Sequence, residues 1–81
     1  MTNHNKSDYD QLFIESFSIE AATLNQSLIY QSIPAWDSVG HMTLIASIEE
    51  KFNITIEIDD IINFSSYTVG IEILKKYGVN F

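Results

Sequence analysis

The chain has no cysteine and no arginine, and it carries one proline and three glycines. Without cysteine, neither a disulfide nor a zinc–thiolate centre can staple it. Packing alone must therefore hold its 81 residues together. Four lysines face eleven carboxylates, for a formal net charge of −7. The shortage of cations is sharpest between Ser7 and Glu50, a stretch with seven acidic residues and no lysine or arginine. Nucleic-acid binding is excluded on that ground, because phosphate contacts need Lys or Arg. Anionic membrane surfaces are disfavoured for the same reason. No apolar run is long enough to span a bilayer, and the polar start Met1-Thr2-Asn3-His4-Asn5-Lys6 lacks the apolar core of a signal peptide. The three glycines, Gly40, Gly70 and Gly78, are isolated and form no phosphate-cradling loop. The expectation is one small, cytoplasmic domain without membrane insertion, whose core is limited by its size. A deep catalytic pocket is hard to build on this scale. The acidity suits protein partners with basic patches, reached by electrostatic steering. It suits equally well a surface that is acidic only for solubility.

What is present reads as helices. Residues 1–6 are expected as a frayed tail, with residues 7–81 as the folded domain. Ser7-x-x-Asp10 matches a capping box. Tyr9, Phe13 and Phe17 recur every four residues, which predicts a first helix over 8–17 with an aromatic core stripe. Residues 19–36 have poor periodicity, but Leu24, Leu28, Ile29, Tyr30 and Ile33 suggest an ordered crossover packed on the bundle, with a helical turn near 21–24. A second helix is expected over 38–51, with His41, Leu44, Ile45, Ile48 and Phe52 on one face. Val39, Met42 and Ala46 fall on a neighbouring, more exposed strip. Glu49 and Glu50 close that helix on its wet side, where the dipole disfavours them. Ile54-Thr55-Ile56-Glu57-Ile58 alternates like a strand, yet a lone strand in a helical chain has no partner. It is read as an extended segment whose isoleucines plug the bundle. A short helix over 60–63, capped by Asp59 and anchored by Ile61, Ile62 and Phe64, comes next. The last helix, from 67 or 68 to 77, is capped by Ser65-Ser66, with Val69, Ile73 and Tyr77 inward and Gly78 as its stop. The fold class is all-α: a small bundle of three longer helices and one short one, with a long ordered loop between the first two long helices.

One segment carries chemistry: Trp36-Asp37-Ser38-Val39-Gly40-His41-Met42. Asp37 is a good N-cap, and Ser38 falls on the first turn of the helix that follows. Unpaired backbone N–H groups and the positive end of the helix dipole favour a phosphate attached there. Ser38, His41 and Asp37 are also the residue types of a hydrolase triad, but all three lie on one helical turn, and no nucleophile elbow surrounds the serine. Glu57, Asp59, Asp60 and Asn63 lack the spacing and the glycine of a calcium loop, and no metal site is expected.

Asp37-Ser38 is followed by Leu44, Ile48, Glu49, Glu50 and Phe52, then Ile54-x-Ile56, Asp59-Asp60 and Thr68-Val69. This order and spacing resembles the acyl carrier protein family, which includes the peptidyl carrier domains, over residues 8–77. The resemblance implies that Ser38 carries 4′-phosphopantetheine, transferred from coenzyme A by a phosphopantetheinyl transferase. It implies that Asp37 helps position the metal at that step, and that the arm's thiol holds acyl, glyceryl or aminoacyl groups as thioesters. The chain would then be no enzyme but a substrate of others: the transferase, a loading enzyme, and an acyltransferase or synthase with basic docking patches. Val39, Met42, Ala46, Glu49 and Glu50 would meet those partners, and a monomer is expected. Val39 stands where many fatty-acid carriers have leucine, and Gly40 and Thr43 stand where acids are frequent. Trp36 and Gly40-His41 look more like stand-alone carriers of secondary metabolism or glycoconjugate pathways. His41 has two readings: a satisfied, half-buried histidine, or a donor to the arm. The rival to the carrier is an acidic helical adaptor that docks on a basic partner and bears no covalent group.

Overall fold

Three aromatic residues at four-residue spacing put one continuous stripe on the first helix, and the bundle forms around it. In the computed structural model the described residues are 4–81; the first three positions of the expected 1–6 tail lie outside them. Helix α1 spans Asn5–Phe17, with Tyr9, Phe13 and Phe17 buried. It starts earlier than the expected capping box. Ser7 lies inside the helix, and Asp10 bonds to Lys6 at 2.9 Å and to the Tyr67 phenol at 2.5 Å. The Asn5 side chain donates to the Asn80 carbonyl at 2.9 Å, which ties the first turn of α1 to the segment after α4. Ser18 ends the helix in the left-handed region, φ 54°.

Helix α2 spans Ser38–Phe52 and buries Leu44, Ile45 and Ile48 against α1. Helix α3 is Ile58–Asn63 and α4 is Tyr67–Lys76. Among the described residues the fold is therefore an all-α bundle of three longer helices and one short one, with no strand. The crossover between α1 and α2 is ordered and includes a 3-10 turn at Ala21–Thr23. It is fixed by backbone pairing rather than by helix. Ile29 and Ser66 form an antiparallel bridge, with the Tyr30 N–H donating to the Ser65 carbonyl at 2.8 Å and the Tyr67 N–H to the Leu28 carbonyl at 2.9 Å. The alternating isoleucine segment, by contrast, pairs with no strand. Ile56 is buried and Ile54 packs on the core, but Ile58, expected as a third plug, opens α3 and faces outward.

Two inward rows also differ from expectation. Ile62, expected to anchor α3, is exposed. On α4 the buried residues are Tyr67, Gly70, Ile73 and Leu74, while Val69 keeps 38% of its surface exposed. Gly70 takes the inward place because a Cβ there would stand 2.3 Å from both the Phe64 ring and the Tyr9 hydroxyl. The core is aromatic at its centre: Phe13 meets Trp36 edge-on at 5.5 Å, and Phe17 stacks on Trp36 at 5.4 Å. Trp36 is thus the anchor that brings the end of the crossover, and the residues just after it, to a fixed place on the bundle.

Candidate functional site

The site is built on the start of α2. Asp37 is its N-cap: Oδ1 accepts from the Gly40 N–H at 2.8 Å, which matches expectation. The first intrahelical bond runs from the His41 N–H to the Asp37 carbonyl at 2.8 Å. The N–H groups of Ser38 and Val39 thus precede the ladder, at the positive end of a fifteen-residue helix. Ser38 is exposed. Its Oγ lies 3.1 Å from the hydroxyl of Tyr30, a residue of the crossover that sequence reasoning read only as packing. The signal for it was thin: one aromatic among polar residues, eight positions ahead of the serine.

Gly40 has a steric reason. A Cβ at that position would lie 2.0 Å from the Ala35 carbonyl oxygen. The turn that carries Trp36 and Asp37 presses directly on the first turn of α2, so an acid of the kind frequent in fatty-acid carriers cannot stand there. The Trp36 and His41 pair has a structural reason too. Trp36 Nε1–H donates to His41 Nδ1 at 2.9 Å, and His41 Nε2–H donates to the Ile61 carbonyl at 2.8 Å. The indole is donor only and the carbonyl acceptor only, so the imidazole is the Nε2–H tautomer with both nitrogens in use. It joins crossover, α2 and α3. Of the two sequence readings, the structure favours the satisfied histidine; a hydrogen bond from His41 to an attached arm would break one of these contacts. With Ser38 bonded to Tyr30 and both His41 nitrogens engaged elsewhere, Ser38, His41 and Asp37 form no proton relay.

A groove of about 360 Å³ opens beside Ser38. Met42, Ile61, Ile62 and Phe64 supply its apolar wall, and Ser38, Tyr30, His41 and Ser65 its polar edge. No charged side chain lines it. Of its wall, Met42 is 54% exposed and Ile62 71%, and Val39, next to Ser38 in sequence, is 76% exposed. Of the residues assigned to partner recognition, Val39, Met42, Ala46 and Glu50 are exposed. Glu49 is not free on the wet side: it is half-buried, and its Oε2 accepts from the Ile56 N–H at 2.8 Å. That bond ties the extended segment to α2. It also accounts for a carboxylate at the helix end that the dipole disfavours. Asp60, one of the acids of the α3 region, is likewise taken, by Lys76 at 2.6 Å and Tyr77 at 2.5 Å.

The site defines a class in physical terms: an exposed serine at a capped helix start, beside an uncharged groove on a small acidic helical bundle. No helix among the described residues is long and apolar enough to cross a membrane. No family model, curated protein or solved structure matches the chain.

Proposed function

We propose that the protein is a carrier that bears 4′-phosphopantetheine on Ser38 and delivers the group it holds to partner enzymes, in a specialised pathway rather than in bulk fatty-acid synthesis. The observation that carries this reading is the surrounding of Ser38. Its hydroxyl is exposed, its helix start presents unpaired N–H groups and the dipole's positive end to an attached phosphate, and an uncharged groove begins beside it. The fit to the group is chemical: a phosphodiester suits the helix start, and the uncharged part of the arm suits the groove wall of Met42, Ile61 and Ile62. When attached, the arm would supply a terminal thiol that holds acyl, glyceryl or aminoacyl groups as thioesters.

The chain's own residues divide the work. Ser38 supplies the attacking oxygen. Asp37 keeps the helix start in place with one carboxylate oxygen and has a second to offer a metal held by the transferase. Val39 and Met42 give partners an apolar footing, and Glu50 an acidic one, on a chain of net charge −7. Gly40 and Thr43 leave the acidic face of α2 thinner than a fatty-acid synthase partner would meet, which favours a specialised pathway.

The test is attachment. Purified protein, incubated with coenzyme A, magnesium and a broad-specificity phosphopantetheinyl transferase, is expected to gain one phosphopantetheinyl mass. Peptide mapping should put that mass on Ser38, and Ser38→Ala should fold normally and gain none. A folded sample that is not already loaded and gains nothing, with the transferase active on a control carrier, would favour the adaptor reading. The search would then turn to a basic partner.

A further inference from the structure

We propose that Tyr30 is a positioning residue for the group on Ser38: its phenol orients the serine hydroxyl before attachment and donates a hydrogen bond to the phosphodiester afterwards. This rests on the carrier reading above. The observation is the 3.1 Å contact between the two hydroxyl oxygens, across eight residues of sequence. Either group can donate while both carry a proton. In the attachment step Ser38 Oγ forms a bond to the β-phosphorus of coenzyme A. The pyrophosphate P–O bond breaks, adenosine 3′,5′-bisphosphate leaves, and the hydroxyl proton passes to a base of the transferase. Oγ is then an ester oxygen with no proton. Tyr30 is left as the donor of the pair, facing a newly arrived anion, and hydrogen bonds to ionised acceptors are the stronger kind.

Tyr30 is held as a functional donor must be. Its N–H is bonded to the Ser65 carbonyl at 2.8 Å, beside the Ile29–Ser66 bridge. Its ring meets His41 edge-on at 5.3 Å and Trp36 at 6.3 Å, and His41 is itself fixed through both nitrogens. A solvated surface tyrosine would show none of these restraints. The charge pattern adds the motive. With no lysine or arginine from Ser7 to Glu50, the crossover and the first turns of α2 have no cation for the phosphate, the lone Lys51 lying in the helix's last turn, so a neutral donor takes that place.

The experiment combines Tyr30→Phe with NMR of the loaded wild-type protein. Phenylalanine keeps the ring contacts, so the variant should fold. Loading, followed by intact mass, should slow about 5- to 10-fold, the worth of one net hydrogen bond. The phosphorus resonance of the loaded variant should move from its wild-type position. In wild-type protein carbon-labelled at tyrosine Cζ, attachment should shift the Tyr30 signal and leave those of Tyr9, Tyr67 and Tyr77 in place. A purely structural tyrosine would move neither resonance. If wild type loads but the Tyr30 Cζ signal stays still and the variant's phosphorus position is unchanged, the Tyr30 inference is wrong and the carrier stands. If wild type never loads, the carrier reading falls and takes this inference with it. The wild-type Cζ measurement needs no variant to fold.

Discussion

At the scale of single residues, the informative position next to Ser38 is the one with no side chain. Gly40 carries the Ala35 carbonyl against its Cα, and any Cβ would meet that oxygen at 2.0 Å. The oxygen belongs to backbone, so it cannot swing aside as a flexible side-chain tip would. Gly40→Ala should therefore push the turn at Ala35 and Trp36 off α2 and loosen the Asp37 cap, whose acceptor is the Gly40 N–H. Overpacking of this kind costs about 1–3 kcal/mol, set against a gain of about 1 kcal/mol that alanine brings to a helix interior. A net loss of stability in urea unfolding is expected, with slower loading of Ser38. Equal or greater stability in Gly40→Ala would mean that the turn yields without cost. The same residue shows why part of the site is illegible in sequence. A glycine carries no hydropathy and no charge, so the contact that excludes an acid here leaves only an absence. His41 hides its role differently. Its i, i+3, i+4 spacing with Leu44 and Ile45 marks a buried face, but nothing local reveals that its two partners are Trp36 and a carbonyl on α3.

At the scale of elements, α3 is the weak member and the one most dependent on others. It has six residues and no side-chain cap, too few to stand as an isolated helix. Asp60 ties it to the end of α4 through Lys76 and Tyr77, while Tyr77 also accepts from the Glu57 N–H at 3.0 Å. Lys76 first, and Tyr77 next, hold the Asp60 carboxyl below its ordinary 3.8. A carboxylate with a lower value in the folded state stabilises it at pH above the ordinary value, and that stabilisation is lost as pH falls through the folded value. Protection of the α3 amides against exchange should therefore fall ahead of the rest of the bundle as pH drops below about 4. In Asp60→Asn the exchange should already be faster at neutral pH and respond less to acid. Simultaneous loss of protection throughout the bundle would show that α3 is no separate unit. Because Ile61 and Ile62 line the groove, the same measurement reports on the wall beside Ser38. The three longer helices were legible because apolar residues recur at helical spacing over ten or more positions. The end of the crossover was not, because its order comes from a bridge between Ile29 and Ser66, thirty-seven positions apart in sequence. The alternating isoleucines misled for the opposite reason. Their local pattern favours a strand, but the strand partner is absent among the described residues, and Ile58 joins a helix instead.

At the scale of the whole molecule, α1 closes on α4 and the residues after it, and it does so through phenols. The Tyr9 hydroxyl donates to the Tyr67 carbonyl at 2.7 Å, and the Tyr67 hydroxyl to Asp10 at 2.5 Å, joining α1 to α4. The Phe81 ring meets Tyr9 edge-on at 5.4 Å. Burial pushes the Tyr9 phenol well above its ordinary 10.0, with Tyr67 and Asp10 adding to it. Burial and then the Asp10 bond raise Tyr67, against an opposing effect of Lys6. A phenol whose value is raised on folding stabilises the native state fully below the ordinary value, and this is lost as pH climbs through the folded one. Stability should thus fall from about pH 10 upward, where unfolded phenols ionise and the folded ones resist. Self-repulsion of an already acidic chain works in the same direction. Tyrosinate absorbance and helical circular dichroism, followed together, should show Tyr9 ionising only as the helices are lost. Tyr9→Phe should be less stable at neutral pH by about 1 kcal/mol, the worth of one net hydrogen bond, and should have a shallower alkaline limb. Reversible titration of all four phenols with the helical signal intact would show instead that the closure of α1 on α4 does not depend on a protonated Tyr9. The site at Ser38 should feel this closure only indirectly, since the ring of Phe13 connects Tyr9 to Trp36.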